Sequence, residues 1–599
     1  MRTAHRLARV AGLGLLAGTL AFASAPAAAL AAGAGDSSGS GSQMEAPDGS
    51  GGNGSGGGAD ATDPGSSGGA GNGSSSSGGS GGGSADTMTF DYSDSYTGAI
   101  EADGTEVSSE GETYEATATD QNAALAQDGG TLSLTDAILS KSGDDTDGDS
   151  CNFYGVNSIA LSVGEGSLLT LLDSTLTATS EGSNAVFATD GATAYVKDVS
   201  ISTSADNSRG LDATYGGTIV ATGVTIQTEG AHCASVATDR GGGYVSVTDS
   251  TFSTAGEGSP LLYSTGDVEA SGVTGTATGS QIAGMEGLNT ILINGCTLTS
   301  TITAATASDP VANAVIIYQS TSGDAEASTG ETATFQVANS TLSSAIESGS
   351  FFYLTNTSAE LVLYNSTIDF DTSAANLLTA AGNDANNWGT AGSNGATVKV
   401  TAIAQELAGT IEADTISSVA LYLTDGSTWE GAAKISQNSA GSTVDEPLSV
   451  NVDATSTWVV TESCELSNLT VAEGGQVVDA DGATVTIVAG GKTVVEGASD
   501  LTVTVTGAYS TAYDASEEGA LTADLIDRTA FDEYFGCDTT WSMGDGTVAT
   551  ASSDSDEAAD DTAASTESAE AGETGEESAT NGLVAFFQGI IDWFFGLFN

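Results

Sequence analysis

The sequence predicts an all-β fold, a single parallel β-helix solenoid, from three observations. The composition is rich in glycine, with 80 Gly against 6 Pro, and the polar residues are mostly Ser, Thr, Asn and Asp. Such a composition suits short strands joined by tight turns. Turn residues recur at intervals of 23 to 44 residues, most of them 23 to 26, and the residues on either side alternate between apolar and polar. A solenoid satisfies all three observations, because each repeat buries its apolar face only against its neighbours.

The repeat is anchored on nine turn residues, each of which is Asp, Asn or Gly. These anchors are Asp136, Asp173, Asp198, Gly223, Asp249, Gly272, Gly295, Asn339 and Asn365. The residues two and four positions before each anchor are apolar in all nine repeats, and the residue three positions after it is apolar in all but one, Gly275. Asp, Asn and Gly tolerate the left-handed backbone that turns a strand around a corner. Each anchor therefore predicts a corner between two inward-facing strands.

The charge of the chain excludes one class of function. Eleven Lys and Arg stand against 79 Asp and Glu, for a formal net charge of −68. Nucleic-acid binding needs basic surface to displace phosphate counterions, so no nucleic-acid partner is expected. Anionic membrane surfaces are disfavoured for the same reason.

The ends of the chain differ in composition from the repeats. Arg2, Arg6 and Arg9 precede an apolar stretch and small residues, the pattern of an export signal, so the protein is expected to be secreted and to reside at the cell surface. The Gly/Ser-rich and acidic stretches lack apolar periodicity and predict disordered linkers. The predicted organisation is a signal peptide (1–32), a disordered Gly/Ser-rich linker (33–86), the parallel β-helix (87–510), a C-terminal cap with a short helix (511–550), an acidic disordered linker (551–580) and a hydrophobic amphipathic helix (581–599).

The last of these segments is densely apolar. Residues 583–598 predict a short helix that inserts at a membrane interface or docks on a partner, with packing against the solenoid as the alternative. In the preceding cap, Leu521, Leu525 and Phe535 have helix-like spacing, and the segment is expected to cap or flank the open end of the solenoid. The five cysteines are widely spaced, which predicts small buried side chains rather than a disulfide framework or a zinc site.

One repeat carries a family resemblance. Ser456 to Leu469 (STWVVTESCELSNL) resembles the W-x-V-T-x-x-S-x-L-x-x-L repeat of autotransporter passenger domains, and the repeats as a whole look like those of secreted bacterial right-handed β-helix proteins of the pectin-lyase-like class. The resemblance implies that the predicted parallel β-helix solenoid is right-handed. This resemblance extends over about 97–509 and implies a surface stalk, adhesin or effector carrier. Only 90 residues follow Tyr509, without alternating membrane strands, so the translocator barrel of autotransporters is not expected.

Scarce charged residues concentrate in two adjacent repeats. Removal of residues 1–32 leaves eight Lys and Arg and a single His, and several of these lie close together in the sequence. The candidate ligand-binding residues are Arg209, Asp212, Tyr215, His232, Asp239 and Arg240. Counting along the repeats places Asp190, Tyr215 and Asp239 at one equivalent position, where they are expected to stack. Ion pairing that relieves the acidic surface is the alternative interpretation.

A second candidate site is an acidic loop. Asp145, Asp147 and Asp149 match the first ligand positions of an EF-hand-type Ca²⁺ loop, but the twelfth position is Val156 rather than Glu. A Ca²⁺ site would need further ligands from elsewhere, and a solvated acidic loop is the alternative. No other cofactor is expected.

These observations predict a cell-surface β-helical adhesin, or a structural protein that binds an extracellular glycan or a host or cell-surface protein, and not an enzyme. A polysaccharide lyase or glycoside hydrolase on the same fold is the alternative, since such enzymes need clustered carboxylates. A third hypothesis is an ice-binding hydroxyl ladder built from Thr-x-Thr pairs, at Thr175/Thr177, Thr274/Thr276 and Thr297/Thr299.

Overall fold

The computed structural model describes residues 89–320, 325, 332–384 and 388–544. Within these residues the chain forms a parallel β-helix, as the repeat predicted, and helices are few and short. The predicted signal peptide (1–32), the Gly/Ser-rich linker (33–86), the acidic linker (551–580) and the apolar C-terminal segment (581–599) lie outside the described residues.

Each turn of the solenoid contributes one strand to each of three sides. The first side, sheet A, has 13 strands in parallel register. They are Gly98–Asp103, Asn122–Gln127, Ala160–Val163, Val186–Thr189, Leu211–Ala213, Val236–Thr238, Leu262–Ser264, Ala283–Glu286, Asn313–Tyr318, Ser350–Thr355, Asn376–Ala380, Ile411–Asp414 and Ala433–Ser436.

The second side, sheet B, has 15 parallel strands and runs the length of the solenoid. Its strands are Glu106–Glu110, Thr131–Thr135, Leu168–Leu172, Thr193–Lys197, Thr218–Thr222, Tyr244–Thr248, Asp267–Ser271, Thr290–Asn294, Ala333–Ala338, Ser358–Tyr364, Thr397–Ile403, Ser418–Thr424, Leu448–Val452, Asn468–Val471 and Tyr509–Ser510.

The third side consists of sheet C, with ten strands, followed by sheet D, with four, whereas the four-stranded sheet E follows sheet A on the first side. Sheet C comprises Thr113–Ala116, Ile138–Lys141, Thr175–Ala178, Ser200–Thr203, Thr225–Thr228, Thr251–Thr254, Thr274–Ala277, Thr297–Ser300, Thr341–Ser344 and Thr367–Asp369. Sheet D comprises Glu406–Ala408, Thr428–Gly431, Thr457–Val460 and Gln476–Val478, and sheet E comprises Cys464–Leu466, Thr502–Val505, Thr486–Ala489 and Lys492–Val495. The pair Thr486–Ala489 and Lys492–Val495 is antiparallel.

The corners between sheets B and C are the predicted anchors. All nine anchor residues have a positive φ, between 44° and 67°. The residues two and four positions before them are buried to 1% exposure or less, including Ile219, Val245 and Ile291. Gly275 is the one residue three positions after an anchor that has no apolar side chain. A Cβ added to it would lie 2.7 Å from Leu261 Cδ1, so neighbouring side chains fill this position. The inward apolar columns therefore form one continuous core.

The helices of the described residues are α1 (Gly148–Tyr154), α2 (Thr529–Phe535) and a 3₁₀ turn (Ala515–Glu517). Among them none has the length and apolar content to cross a membrane. Helix α1 lies in the insertion between the strands Ile138–Lys141 and Ala160–Val163. A second insertion, residues 301–312, joins Thr297–Ser300 to Asn313–Tyr318.

Residues 511–544, named here the C-terminal strap, lie along the side of the solenoid, and this corrects the prediction that they cap its end. The strap runs back over the outer face of sheet B, where the backbone N–H of Gly519 donates to Thr401 Oγ1 (2.8 Å) and that of Ile526 donates to Glu269 Oε1 (2.7 Å). At its far end the hydroxyl of Tyr534 lies 3.0 Å from the hydroxyl of Ser133. Residues 519–528 are extended rather than helical, because backbone groups of this segment hydrogen-bond to side chains of sheet B.

Candidate functional site

A cleft of about 300 Å³ opens on the outer face of sheet A. One wall comes from α1, through Asn152 and Phe153, and the opposite wall comes from the 301–312 insertion. The side chains that can contact a ligand on the walls and floor are mostly polar. They include Arg209, His232, Asp239, Tyr263, Gln281, Asp309 and Tyr318.

Arg209 organises the floor of the cleft. Its Nη1 lies 2.8 Å from Asp212 Oδ2, and its Nη2 lies 2.8 Å from Asp239 Oδ2. A further hydrogen bond from Nη1 reaches Asn152 Oδ1 on α1 (3.3 Å). Arg209, Asp212 and Asp239 are 9%, 0% and 5% exposed. The guanidinium therefore joins two adjacent repeats to the α1 insertion.

Burial and charge act in opposite directions on this cluster. Burial by itself would lower the pKa of the Arg209 guanidinium, but Asp212 and Asp239 raise it above its usual value. Burial raises the pKa of Asp212 to about 6, although the charge of Arg209 and its hydrogen bond act to lower it. Among the described residues Asp212 Oδ1 has no hydrogen-bond partner, which leaves burial as the larger effect. Arg209 is the cation that Asp212 and Asp239 share.

The other predicted residues divide between the cleft and a neighbouring aromatic cluster. His232 is exposed at the cleft and has a positive φ of 57°. Arg240 lies over the ring of Phe153, 3.7 Å from its centroid. Tyr215 stacks on Tyr154, with centroids 5.5 Å apart and an interplanar angle of 3°. Neither Arg240 nor Tyr215 lines the cleft, so the six predicted residues form two adjoining groups.

The predicted stack is correct for Asp190 and Tyr215, which the register places opposite each other, but it is wrong by one position for Asp239. Ala213 pairs with Thr238 in sheet A, so Asp239 lies opposite Thr214 and not opposite Tyr215. The offset between adjacent repeats is still 25 residues at Asp239, so this carboxylate keeps the register of the strand and reaches Arg209. The one extra residue of this repeat comes after Asp239, where the consecutive glycines Gly241 and Gly242 both have a positive φ.

A tyrosine–carboxylate network at the back of the cleft was not predicted. The hydroxyls of Tyr263 and Tyr318 both donate to Glu286 Oε2, each at 3.1 Å, and Ser320 donates to Oε1. Burial is the main cause that raises the pKa of both phenols well above the usual range. Trp388 stacks on Tyr318 with 4.2 Å between centroids. Glu286 and Tyr318 belong to different repeats that are separated by the 301–312 insertion, so no local spacing joins them.

Asp309 of the 301–312 insertion was also missed. Its Oδ2 accepts a hydrogen bond from Asn313 Nδ2 (2.8 Å), and burial raises its pKa to about 6. The unusually long interval of 44 residues between the anchors Gly295 and Asn339 was the available signal for an insertion at this place.

The three carboxylates of the candidate Ca²⁺ loop do not converge, which corrects that expectation. Asp147 is the N-cap residue of α1 and accepts from the Ser150 hydroxyl (2.7 Å), whereas Asp145 faces Gly182 of the next repeat. Asp149 lies in the first turn of α1. The start of this helix separates the carboxylates. In the described part of the chain, no group of three or more His, Cys, Asp or Glu side chains could hold a metal ion.

The Thr-x-Thr pairs lie on the outer face of sheet C. Thr175 and Thr177 are exposed, and their neighbours in the next strand are Ser200 and Ser202. Thr274 pairs with Thr297, and Thr276 with Thr299, across the same face. The hydroxyl ladder thus has the strand register that was expected, and its binding to ice stays a prediction.

Comparison with known proteins adds no relative: no family model, curated protein or solved structure matches this chain. The assignment of the fold as a parallel β-helix is based on the stacked parallel sheets of the structure.

Proposed function

We propose that this protein is a secreted, cell-surface β-helical protein that binds an extracellular glycan in the cleft of sheet A. The observation that carries the proposal is the cleft itself, an open site of about 300 Å³ between two insertions and lined mainly by polar and aromatic side chains. Planar polar groups such as those of Asn152, Gln281 and Asp309 suit the hydroxyls of a sugar, and aromatic rings such as Phe153 and Tyr263 suit its apolar faces.

The resemblance of the repeats to pectin-lyase-like β-helices and autotransporter passengers supports the same proposal, since those proteins act outside the cell. The proposed secretion depends on residues 1–32, and the proposed attachment to a membrane interface or partner depends on residues 583–598. The high net negative charge of −68 fits a protein without nucleic-acid partners. A protein ligand at the cell surface is a second outcome that a binding screen can detect.

The test is a glycan-array screen of the mature chain, followed by calorimetry with the best oligosaccharide. His232→Ala and Asp309→Asn alter exposed or half-buried groups of the cleft, and each is expected to weaken binding by about tenfold, as the loss of a polar contact of 1–2 kcal/mol predicts. Asp369→Asn, on the outer face of sheet C, is the matched control and leaves affinity unchanged. Equal affinity in all three variants would exclude the cleft as the binding site.

Substitution of Arg209, Asp212 or Asp239 is a poor test of binding. These side chains are buried and joined by ion pairs, so their loss disturbs the repeats around the cleft as well as any ligand.

Polysaccharide cleavage is the second candidate function, and one observation favours it. Asp309, whose pKa burial raises to about 6, lines the same cleft as Asp239, so a carboxylic acid and a carboxylate share one site. A reducing-end assay on the glycans that bind distinguishes the two functions. Product formation that Asp309→Asn abolishes indicates an enzyme, and binding without product indicates an adhesin.

A further inference from the structure

The C-terminal strap buries the outer face of sheet B, which makes both faces of this sheet inaccessible over several repeats. Under the strap, Val220, Ser246, Glu269 and Leu292 are at most 2% exposed, although all four point away from the solenoid core. A cavity of about 520 Å³ remains between strap and sheet, lined by Glu269 and by Thr522, Asp524 and Ile526 among others.

Arg528 anchors the middle of the strap to sheet B through hydrogen bonds. Its Nη1 donates to the backbone oxygen of Ser246 (2.9 Å) and its Nη2 to that of Ala221 (2.9 Å), and both also contact hydroxyls of sheet B. Arg528 is 4% exposed. The guanidinium therefore finds its partners mainly in neutral oxygen atoms and does not depend on a carboxylate.

Glu269 is the one carboxyl group fully covered by the strap. Oε1 accepts the backbone N–H of Ile526 at 2.7 Å, whereas Oε2 is buried without a hydrogen-bond partner in the described residues. A buried carboxylate oxygen without a donor is costly, and a proton on it removes the charge. The Glu269 side chain also contributes to the lining of the cavity between strap and sheet.

We propose that Glu269 is a proton-binding site that controls the strap, so that proton uptake closes the strap on sheet B and proton release loosens it. Burial raises the pKa of Glu269 to about 7, against the opposing effects of the Ile526 N–H, the Ser246 hydroxyl and the charge of Arg528. With the strap open, the side chain faces solvent and titrates near the ordinary value of about 4.3.

The other charged and titratable groups around Glu269 act in both directions: Asp267 raises its pKa and Arg528 lowers it. Asp267, on the same strand, has a pKa raised by burial and by Asp524, so it too favours proton uptake when the strap is closed. Asp524 on the strap is exposed, and Tyr244 lies on the neighbouring strand at the rim of the cavity. Arg528 is the only cation that faces Glu269 from the strap.

The sign of the pH dependence follows from linkage. The closed state binds a proton more tightly than the open state, so closure is strongest below the ordinary pKa of Glu269 and weakens as the pH rises through about 7. A difference of this size in pKa predicts that the closing equilibrium falls by at least about tenfold between pH 5 and pH 8. The packing of the apolar core inside the solenoid is not expected to depend on pH in this way.

The test is hydrogen exchange of the mature chain at pH 5, 6, 7 and 8, with each peptide corrected for the exchange rate of the same peptide unfolded. Protection of residues 519–535 is expected to fall by about tenfold or more from pH 5 to pH 8, while the strand Ser200–Thr203 of sheet C stays unchanged. Glu269→Gln, which is neutral at every pH, is expected to keep the strap protected throughout. Glu533→Gln, at an exposed carboxylate of the strap away from this cavity, is the control and retains the pH dependence of the wild type.

Three results would overturn the proposal. One is constant protection of the wild-type strap from pH 5 to pH 8, which needs no variant at all. Another is an undiminished pH dependence in Glu269→Gln. The third is an equal fall in sheet C, which would indicate loosening of the whole solenoid rather than of the strap.

Discussion

The backbone N–H of Ser208 donates a hydrogen bond to Sγ of Cys233 in the next repeat, at 3.0 Å. The same position is occupied by serine hydroxyls in the neighbouring repeats: Ser183 N–H donates to Ser208 Oγ, and Cys233 N–H to Ser259 Oγ, both at 2.9 Å. A thiol thus takes the place of a hydroxyl in a ladder of hydrogen bonds along the solenoid. This explains why a buried cysteine with a pKa raised by burial to about 11 stands without a disulfide partner.

Substitution of Cys233 tests this ladder. Cys233→Ser supplies the hydroxyl of the neighbouring repeats and is expected to change the free energy of unfolding by less than about 1 kcal/mol, whereas Cys233→Val leaves the Ser208 N–H unpaired and costs about 1–3 kcal/mol. Chemical denaturation measures both. Equal losses in the two variants would mean that packing volume, and not the hydrogen bond, determines this position.

Ala404 occupies a corner that the other repeats give to Asp, Asn or Gly. Its φ is 47°, a left-handed conformation that costs an alanine about 1 kcal/mol. Glycine relieves this cost but loses about 0.5–1 kcal/mol through its own backbone entropy, so we expect Ala404→Gly to leave the free energy of unfolding unchanged or to raise it by up to about 1 kcal/mol, as measured by denaturant titration. Ala408→Gly is the matched control: this exposed strand residue is not among those with positive φ, so glycine costs about 0.5–1 kcal/mol there. Destabilisation of both variants would contradict the corner assignment.

The corners and the core could be predicted because both depend on residues close together in the sequence. Asp136 and Asn365 turn the chain through their own backbone preference, and the apolar columns follow from strand alternation next to them. The C-terminal strap could not be predicted in this way. Leu521 and Leu525 were expected to share a helix face, yet both pack against the cluster around Leu292 and Ala338 on sheet B. Only contacts across some 200 residues select the extended form.

The candidate site was predicted only in part, because some of its contacts join residues close together in the sequence and others join distant ones. Arg209 and Asp212 are three residues apart, and their pairing needs no knowledge of neighbouring repeats. The contact from Arg209 to Asp239 depends on the strand register between adjacent repeats, which the count along the sequence placed one residue off at Thr238. The α1 and 301–312 walls come from insertions that interrupt the repeat, and the pattern carries no information about where such loops fold.

Removal of the positive charge of Arg209 is expected to lower the free energy of unfolding, because the buried carboxylates are then no longer neutralised by it. Arg209→Met removes the cation that Asp212 and Asp239 share, which costs about 3–5 kcal/mol near pH 8. The loss is expected to be smaller at pH 5, because carboxyl groups without a cation have raised pKa values and become neutral as the pH falls. Thermal or chemical denaturation at the two pH values measures the difference.

A surface ion pair provides the comparison for Arg209. Lys434→Met breaks the pair between Lys434 and Glu412, in which the lysine side chain is 56% exposed, and costs less than about 1 kcal/mol. If Arg209→Met were equally mild at pH 8, the buried cluster would not hold the two repeats and α1 together.

Trp458 and Trp429 stack inside successive repeats near the C-terminal end of the solenoid, with ring centroids 4.9 Å apart and an interplanar angle of 12°. Both are fully buried, and the indole N–H of Trp458 donates to the Gly431 oxygen at 3.0 Å. Trp458→Ala removes the ring and its hydrogen bond, so a loss of about 3–5 kcal/mol is expected. Trp458→Phe retains much of the stacking and is expected to lose less, because only the hydrogen bond and part of the ring are missing.

The loss in Trp458→Ala should be local as well as large, since each repeat contacts only its neighbours. Hydrogen exchange is expected to show reduced protection in Thr428–Gly431 and Gln476–Val478, the strands on either side, while Thr193–Lys197 at the other end keeps its protection. Val494→Ala, at a side chain 44% exposed, is the control and changes stability by less than about 0.5 kcal/mol. Uniform loss of protection along the whole solenoid would instead mean that its repeats unfold as a single cooperative unit, with the tryptophan stack contributing to all of them.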